Sequence, residues 1–225
     1  MSRGTSHAGD DPHADEPLVT GGTSLETANS AVVLVHGRGA TARSILGFGR
    51  EIASDGTALL APQAAGNTWY PNSFLSPVSE NEPGRSSGIR AVENAVSTAV
   101  EAGIRIDDVV VAGFSQGACL ASEFVARTPR EYGGIAALSG GLIGETIVVA
   151  DYLEGATERD PLAGTPVFLG CSDVDPHIPE ERVHETADVL GALGGDVETR
   201  IYDGMGHGIN EDETAYVSSM IAGLS

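Results

Sequence analysis

Short apolar runs alternate with stretches in which apolar residues return every three or four positions, and this rhythm holds from residue 31 to the end of the chain. The runs predict strands at 31–35, 57–61, 107–112, 134–138, 166–169 and 196–202. Most are continuously apolar, as in strands buried on both faces of a parallel sheet. The periodic stretches predict helices at 44–54, 87–102, 116–127, 180–193 and 211–222, with Ile89, Val92, Val96 and Val100 marking one face of the second. A weaker apolar piece covers 142–150, and 63–84 shows little periodicity, which predicts a long loop over one end of the sheet. Strand, loop and helix repeated in this way predict a mostly parallel central sheet with helices on both faces. The polar residues at the strand exits then gather along one edge, where α/β sheets place their sites.

Residues 1–16 hold acids, glycine, proline and the histidines His7 and His13 with almost no bulky apolar side chain, so a flexible acidic arm is expected ahead of a single domain at 17–225. The charge changes the picture further. Twelve basic residues, all arginine, stand against 32 acids, for a net charge of −20. Such a surface repels phosphate backbones and anionic lipid heads, which excludes nucleic acid and stable membrane insertion as expected partners. It also repels itself, and adaptation to concentrated salt is expected. With no basic leader, no long apolar run and two isolated cysteines, Cys119 and Cys171, the expected setting is cytoplasmic, without disulfides and without a zinc site. Oligomeric state is left open.

The chemistry concentrates at strand exits. In "VVVAGFSQGACL", Ser115 lies between Gly113 and Gly117 where a strand gives way to a helix. A sharp turn there lifts a serine hydroxyl above the sheet and needs neighbours almost without side chains; the plainer reading makes Ser115 a helix cap. A nucleophilic serine needs a base, and His207 in the glycine-rich "YDGMGHGIN" is the strongest candidate. His177 and His184 are weaker, and His36, ending the first predicted strand, is expected to brace a turn. For the orienting carboxylate, "CSDVDPHIP" offers Asp173 and Asp175; Asp175 is the better orienter and Asp173 suits a local turn. The oxyanion donors are constrained to the residue after the nucleophile and one in the first strand-to-helix loop, positions held by Gln116 and Arg38. The order Ser115, Asp175, His207 is that of an α/β-hydrolase. Neither a phosphate-binding loop nor a complete dinucleotide fingerprint nor a metal-ligand array is present in the sequence, so no cofactor and no metal are expected.

The segments "VVLVHGRGATA", "GFSQGACLA", "ALSGGL", "CSDVDPHIP" and "MGHGI" resemble the phospholipase/carboxylesterase family of the α/β-hydrolase fold, which includes acyl-protein thioesterases and small esterases. The resemblance runs from about Ala31 to Leu224. It implies an α/β-hydrolase without a large lid domain, a small-molecule ester as substrate, and hydrolysis through an acyl-enzyme. Ser115 is then the nucleophile, Asp175 the acid and His207 the base, with the amides of Arg38 and Gln116 forming the oxyanion hole. Thioester or lysophospholipid hydrolysis by the same triad is the alternative, and a non-catalytic acyl-ligand binder or partner protein a further one. The family often has leucine at the position of Arg38, a departure that speaks against a very greasy acyl pocket. Its aromatic loop matches "NTWYPNSF", so Trp69 and Tyr70 are expected either to wall the substrate cleft or to anchor the loop. Cys119, one helical turn beyond Ser115, reads as packing.

Overall fold

The computed structural model, which describes residues 11–154 and 159–224, sets the apolar runs side by side in one sheet. Its strands are β1 (Leu18–Gly22), β2 (Ser30–Val35), β3 (Thr57–Pro62), β4 (Val109–Phe114), β5 (Gly134–Leu138), β6 (Pro166–Ser172) and β7 (Asp196–Tyr202). They lie in the order β1-β3-β2-β4-β5-β6-β7. Only β1 runs antiparallel to its neighbour.

The helices are α1 (Ala42–Ile52), α2 (Gly84–Glu101), α3 (Gln116–Arg127), α4 (Val149–Leu153), α5 (Glu180–Ala192) and α6 (Glu211–Ala222). Successive side chains of a strand point to opposite faces, so a fully apolar run feeds two cores at once. In β2, Ala31, Val33 and Val35 join the core packed by α2, α3 and α5, whereas Val32 and Leu34 join the one packed by α1 and α6. Among the described residues no helix is long and apolar enough to cross a membrane.

Four features depart from the sequence reading. Strand β1, "LVTGG", has neither alternation nor a long apolar run, and it forms because its backbone pairs along β3 from Leu18 to Gly22. The weak piece at 142–150 is irregular, with the short α4 at its end. The 63–84 loop contains two short 3-10 turns, Ala65–Asn67 and Val78–Asn81. The arm expected to be loose is packed from Asp11 onward: Asp11 pairs with Arg90 and bonds Ser87, and His13 is buried. Residues 1–10 of that arm, His7 among them, lie outside the described residues.

Candidate active site

The ends of β2, β4, β6 and β7 deliver His36–Arg38, Ser115, Asp175 and His207 to the same edge of the sheet. At the end of β4 the chain reverses so abruptly that Ser115 takes φ 56°, ψ −123°. A non-glycine residue there costs about 1–3 kcal/mol, which the surrounding structure must hold. It is held by Ser115 N–H to the Leu138 carbonyl at 3.0 Å and by the Ser115 carbonyl accepting from Cys119 N–H at 3.0 Å. Glycine at 117 is required by close approach, because a Cβ there would collide with the Val35 carbonyl of the neighbouring strand.

Ser115 does occupy the cap position of α3, but its hydroxyl makes no cap hydrogen bond. It lies 2.9 Å from His207 Nε2 instead, and His207 Nδ1 is 2.7 Å from Asp175 Oδ2. A carboxylate can only accept, so Nδ1 carries the ring proton and Nε2 is free to take the serine proton. Asp175 is fully occupied: Oδ1 accepts from His177 N–H at 2.8 Å and Ile178 N–H at 3.1 Å, and Oδ2 also accepts the Cys171 thiol at 3.8 Å. Burial pushes the Asp175 carboxyl upward, but the His207 bond and the two backbone donors outweigh it and hold the group below the usual carboxylate range. Asp173 accepts from Gly204 N–H at 2.8 Å and so fixes the turn that leads to His207. His207 itself is flanked by Phe114 and, edge-on, by His177, with centroids 5.0 and 4.9 Å away.

The backbone N–H groups of Arg38 and Gln116 have no hydrogen-bond partner among the described residues, as donors awaiting an oxyanion would. The Gln116 side chain has a separate task that the sequence does not advertise. Its Oε1 accepts from Trp69 N–H at 3.0 Å and its Nε2 donates to the Tyr70 carbonyl at 2.9 Å, which pins the loop against the Ser115 turn.

A cavity of about 540 Å³ opens over Ser115 and His207, walled by Arg38, Tyr70, Asn72, Phe74, His177 and Ile178, among others. Of the two aromatics expected to wall the cleft, Tyr70 lines it and Trp69 does not. The Trp69 indole is fully buried, its Nε1–H donating to the His36 carbonyl at 2.8 Å, so it anchors the loop from behind. His36 braces the same region, and His184 only pairs with Glu180 on α5. Cys119 reaches the cavity wall, yet burial pushes its thiol up to about 11, and it remains a protonated packing group. Asn72, Phe74, His177 and Ile178 sit in aperiodic loops, where sequence pattern carries no signal for cavity walls.

A family model described as phospholipase/carboxylesterase matches residues 23–225. The crystal structure of a phospholipase/carboxylesterase from Dyadobacter fermentans is 38% identical, with a TM-score of 0.86, covering 92% of this chain and 97% of that one. Acyl-protein thioesterase 1 of Saccharomyces cerevisiae is 27% identical over 145 residues, 61% of this chain and 59% of the relative. Carboxylesterase SOBER1 of Arabidopsis thaliana is 28% identical over 149 residues, 65% of this chain and 60% of the relative. The chain thus spans about three-fifths of the length of these curated relatives. The fold is that of the α/β-hydrolases, and among the described residues no large extra domain accompanies it.

Proposed function

The chain belongs to the phospholipase/carboxylesterase family, and from that premise we propose that it is a serine carboxylesterase for small to medium acyl esters. The single observation that carries this reading is the unbroken relay from Asp175 through His207 to Ser115, at 2.7 and 2.9 Å.

In the reaction, Ser115 Oγ attacks the ester carbonyl as His207 Nε2 takes the hydroxyl proton. The carbonyl oxygen gains negative charge and is met by the Arg38 and Gln116 N–H groups. Asp175 holds the tautomer and stabilises the imidazolium. Collapse of the tetrahedral adduct breaks the bond to the alcohol oxygen, which leaves with the proton held on Nε2. Water, deprotonated by the same nitrogen, then attacks the acyl-serine, and collapse of this second adduct breaks the bond to Ser115 Oγ, which takes back the proton from Nε2 as the acid is released. Thioesters run through the same steps, and the names of the thioesterase relatives support keeping that substrate within the proposal. The cavity wall mixes Tyr70, Phe74 and Ile178 with Arg38 and Asn72, and those two polar residues support short soluble acyl groups over long chains. Two unpaired cysteines agree with a reducing, cytoplasmic setting.

Ser115→Ala is expected to abolish nearly all p-nitrophenyl acetate turnover while leaving the circular dichroism spectrum and melting temperature close to wild type. Turnover at the wild-type level in that variant refutes the assignment.

A further inference from the structure

The chain carries 32 acids, yet none of the residues walling the cavity over Ser115 is an aspartate or glutamate. The nearest carboxylate of the site, Asp175, is fully buried behind His207 and spends its oxygens on four donors. Meanwhile one arginine faces the same space. Arg38 is exposed, and its guanidinium is fixed by Nη1–H to the Pro71 carbonyl at 3.0 Å and Nη2–H to the Asn72 carbonyl at 2.6 Å, beside the Tyr70 ring.

Both partners are neutral carbonyls, and among the described residues no carboxylate pairs with Arg38. The full positive charge therefore stays uncompensated, with three of the five guanidinium N–H donors left over. Its backbone lies against the nucleophile: a Cβ on the preceding Gly37 would stand 3.4 Å from Ser115 Cβ. His177, whose ring meets His207 edge-on, lines the same cavity and adds a further polar group to its wall. A guanidinium held in place, without an acidic partner and with N–H donors to spare, is the group that selects a carboxylate, by a charge-assisted bond that can be bidentate. Held on carbonyls, that cation keeps its charge, unlike the surface arginines Arg105 and Arg200, which are paired with acids.

Resting on the serine-esterase reading, we propose that the cleft selects esters bearing a carboxylate a few bonds from the scissile carbonyl, with Arg38 as the specificity-determining residue. Monoesters of short dicarboxylic acids are the class this describes on the acyl side, and esters of short hydroxy acids on the alcohol side.

The test compares two matched pairs at low ionic strength: monoethyl succinate against ethyl butyrate, and acetoxyacetate against propyl acetate. At least one anionic ester is expected to be preferred in kcat/KM by about tenfold, the scale of a hydrogen bond to a charged group. Arg38→Gln, which keeps an N–H donor for the loop carbonyls but not the charge, should bring that ratio close to one, and Arg38→Lys should retain part of it. A ratio unchanged in Arg38→Gln, ratios at or below one for both pairs in the wild type, or no turnover of either anionic ester overturns the proposal. Neutral-ester turnover that survives Ser115→Ala refutes the serine reading instead, and is distinguishable because it is read in the Ser115 variant, whereas the ester ratio is read with Ser115 in place.

Discussion

Glu213, in the first turn of α6, is fully buried; its Oε2 accepts from Asn210 N–H at 2.8 Å and its Oε1 has no partner. It fits because β6 has glycine at 170, where a Cβ would collide with that same Oε1. Burial pushes the carboxyl from 4.5 up to about 7, against the pull of the Asn210 N–H and with help from the charge of Asp212. Between those two values the folded protein binds more protons than the unfolded chain, so the contribution of Glu213 to stability falls as pH rises through that window. Fully ionised, the group costs the fold about 3 kcal/mol. Glu213→Gln keeps an acceptor for Asn210 and removes the charge. It is expected to melt above wild type at about pH 8.5, with the gap closing by about pH 5, where both side chains are largely neutral. Thermal unfolding across that range checks this, and a gap of equal size at both ends would exclude the charge as its cause.

At the scale of elements, the segment that follows β3 is clamped by two histidines. Ala64 N–H donates to His36 Nε2 at 3.1 Å and Ala65 N–H to His13 Nδ1 at 3.0 Å. The remaining ring nitrogens donate to the Gly37 and Trp69 carbonyls, at 2.9 Å each. Trp69 packs against both rings, with centroids 4.9 Å from His36 and 5.2 Å from His13. Each histidine accepts through one nitrogen and donates through the other, so each is neutral, and a second ring proton would face a backbone N–H. Burial holds His36 below its ordinary value of 6.5. Its contribution is therefore complete above 6.5 and is lost as pH falls through the folded value. Trp69 is the single tryptophan and reports on the clamp directly. Its emission is expected to shift to the red on acidification before the far-ultraviolet circular dichroism changes; emission that moves only with global unfolding would argue against the clamp. Little of this was legible in the sequence, because His13 stands in a polar stretch and its partners Ala65, Trp69 and Ser87 lie 52, 56 and 74 residues away. The strands from β2 to β6 were legible because burial on both faces leaves continuous apolar runs, whereas the half-exposed β7 was legible from its place between two periodic stretches. Ser115, Asp175 and His207 were legible because each closes such a strand or follows one within a few residues. β1 was not, since its pairing depends on the partner's edge, and Trp69 was open to two readings because an aromatic in a loop faces inward or outward according to contacts that pattern does not encode.

For the whole molecule the governing quantity is the charge of −20. Several arginines are paired locally: Arg105 with Asp107 and Asp108, Arg200 with Glu198 and Asp212, and Arg85 and Arg127 with Glu123. The last pair meets inside the protein, where Glu123 also accepts from Ile143 N–H at 3.1 Å and Tyr152 at 3.2 Å, joining α2, α3 and α4. Salt screens such a buried group little. It acts on the surplus of exposed acids, whose mutual repulsion extends over a Debye length of about 10 Å at 0.1 M and about 3 Å at 1 M. We therefore expect the melting temperature to rise with KCl, most steeply below about 1 M, because further salt shortens the screening length by little. Ammonium sulfate is a poor choice for this measurement, since it stabilises folded proteins in general by exclusion from their surface. A melting temperature that is flat or falls in KCl would mean that the surplus acids do not strain the fold. The same screening weakens long-range attraction between Arg38 and an anionic ester but spares a contact hydrogen bond. The preference should then shrink with salt without vanishing if the carboxylate docks on the guanidinium, and vanish if it is merely drawn toward a cleft wall that has no acids of its own.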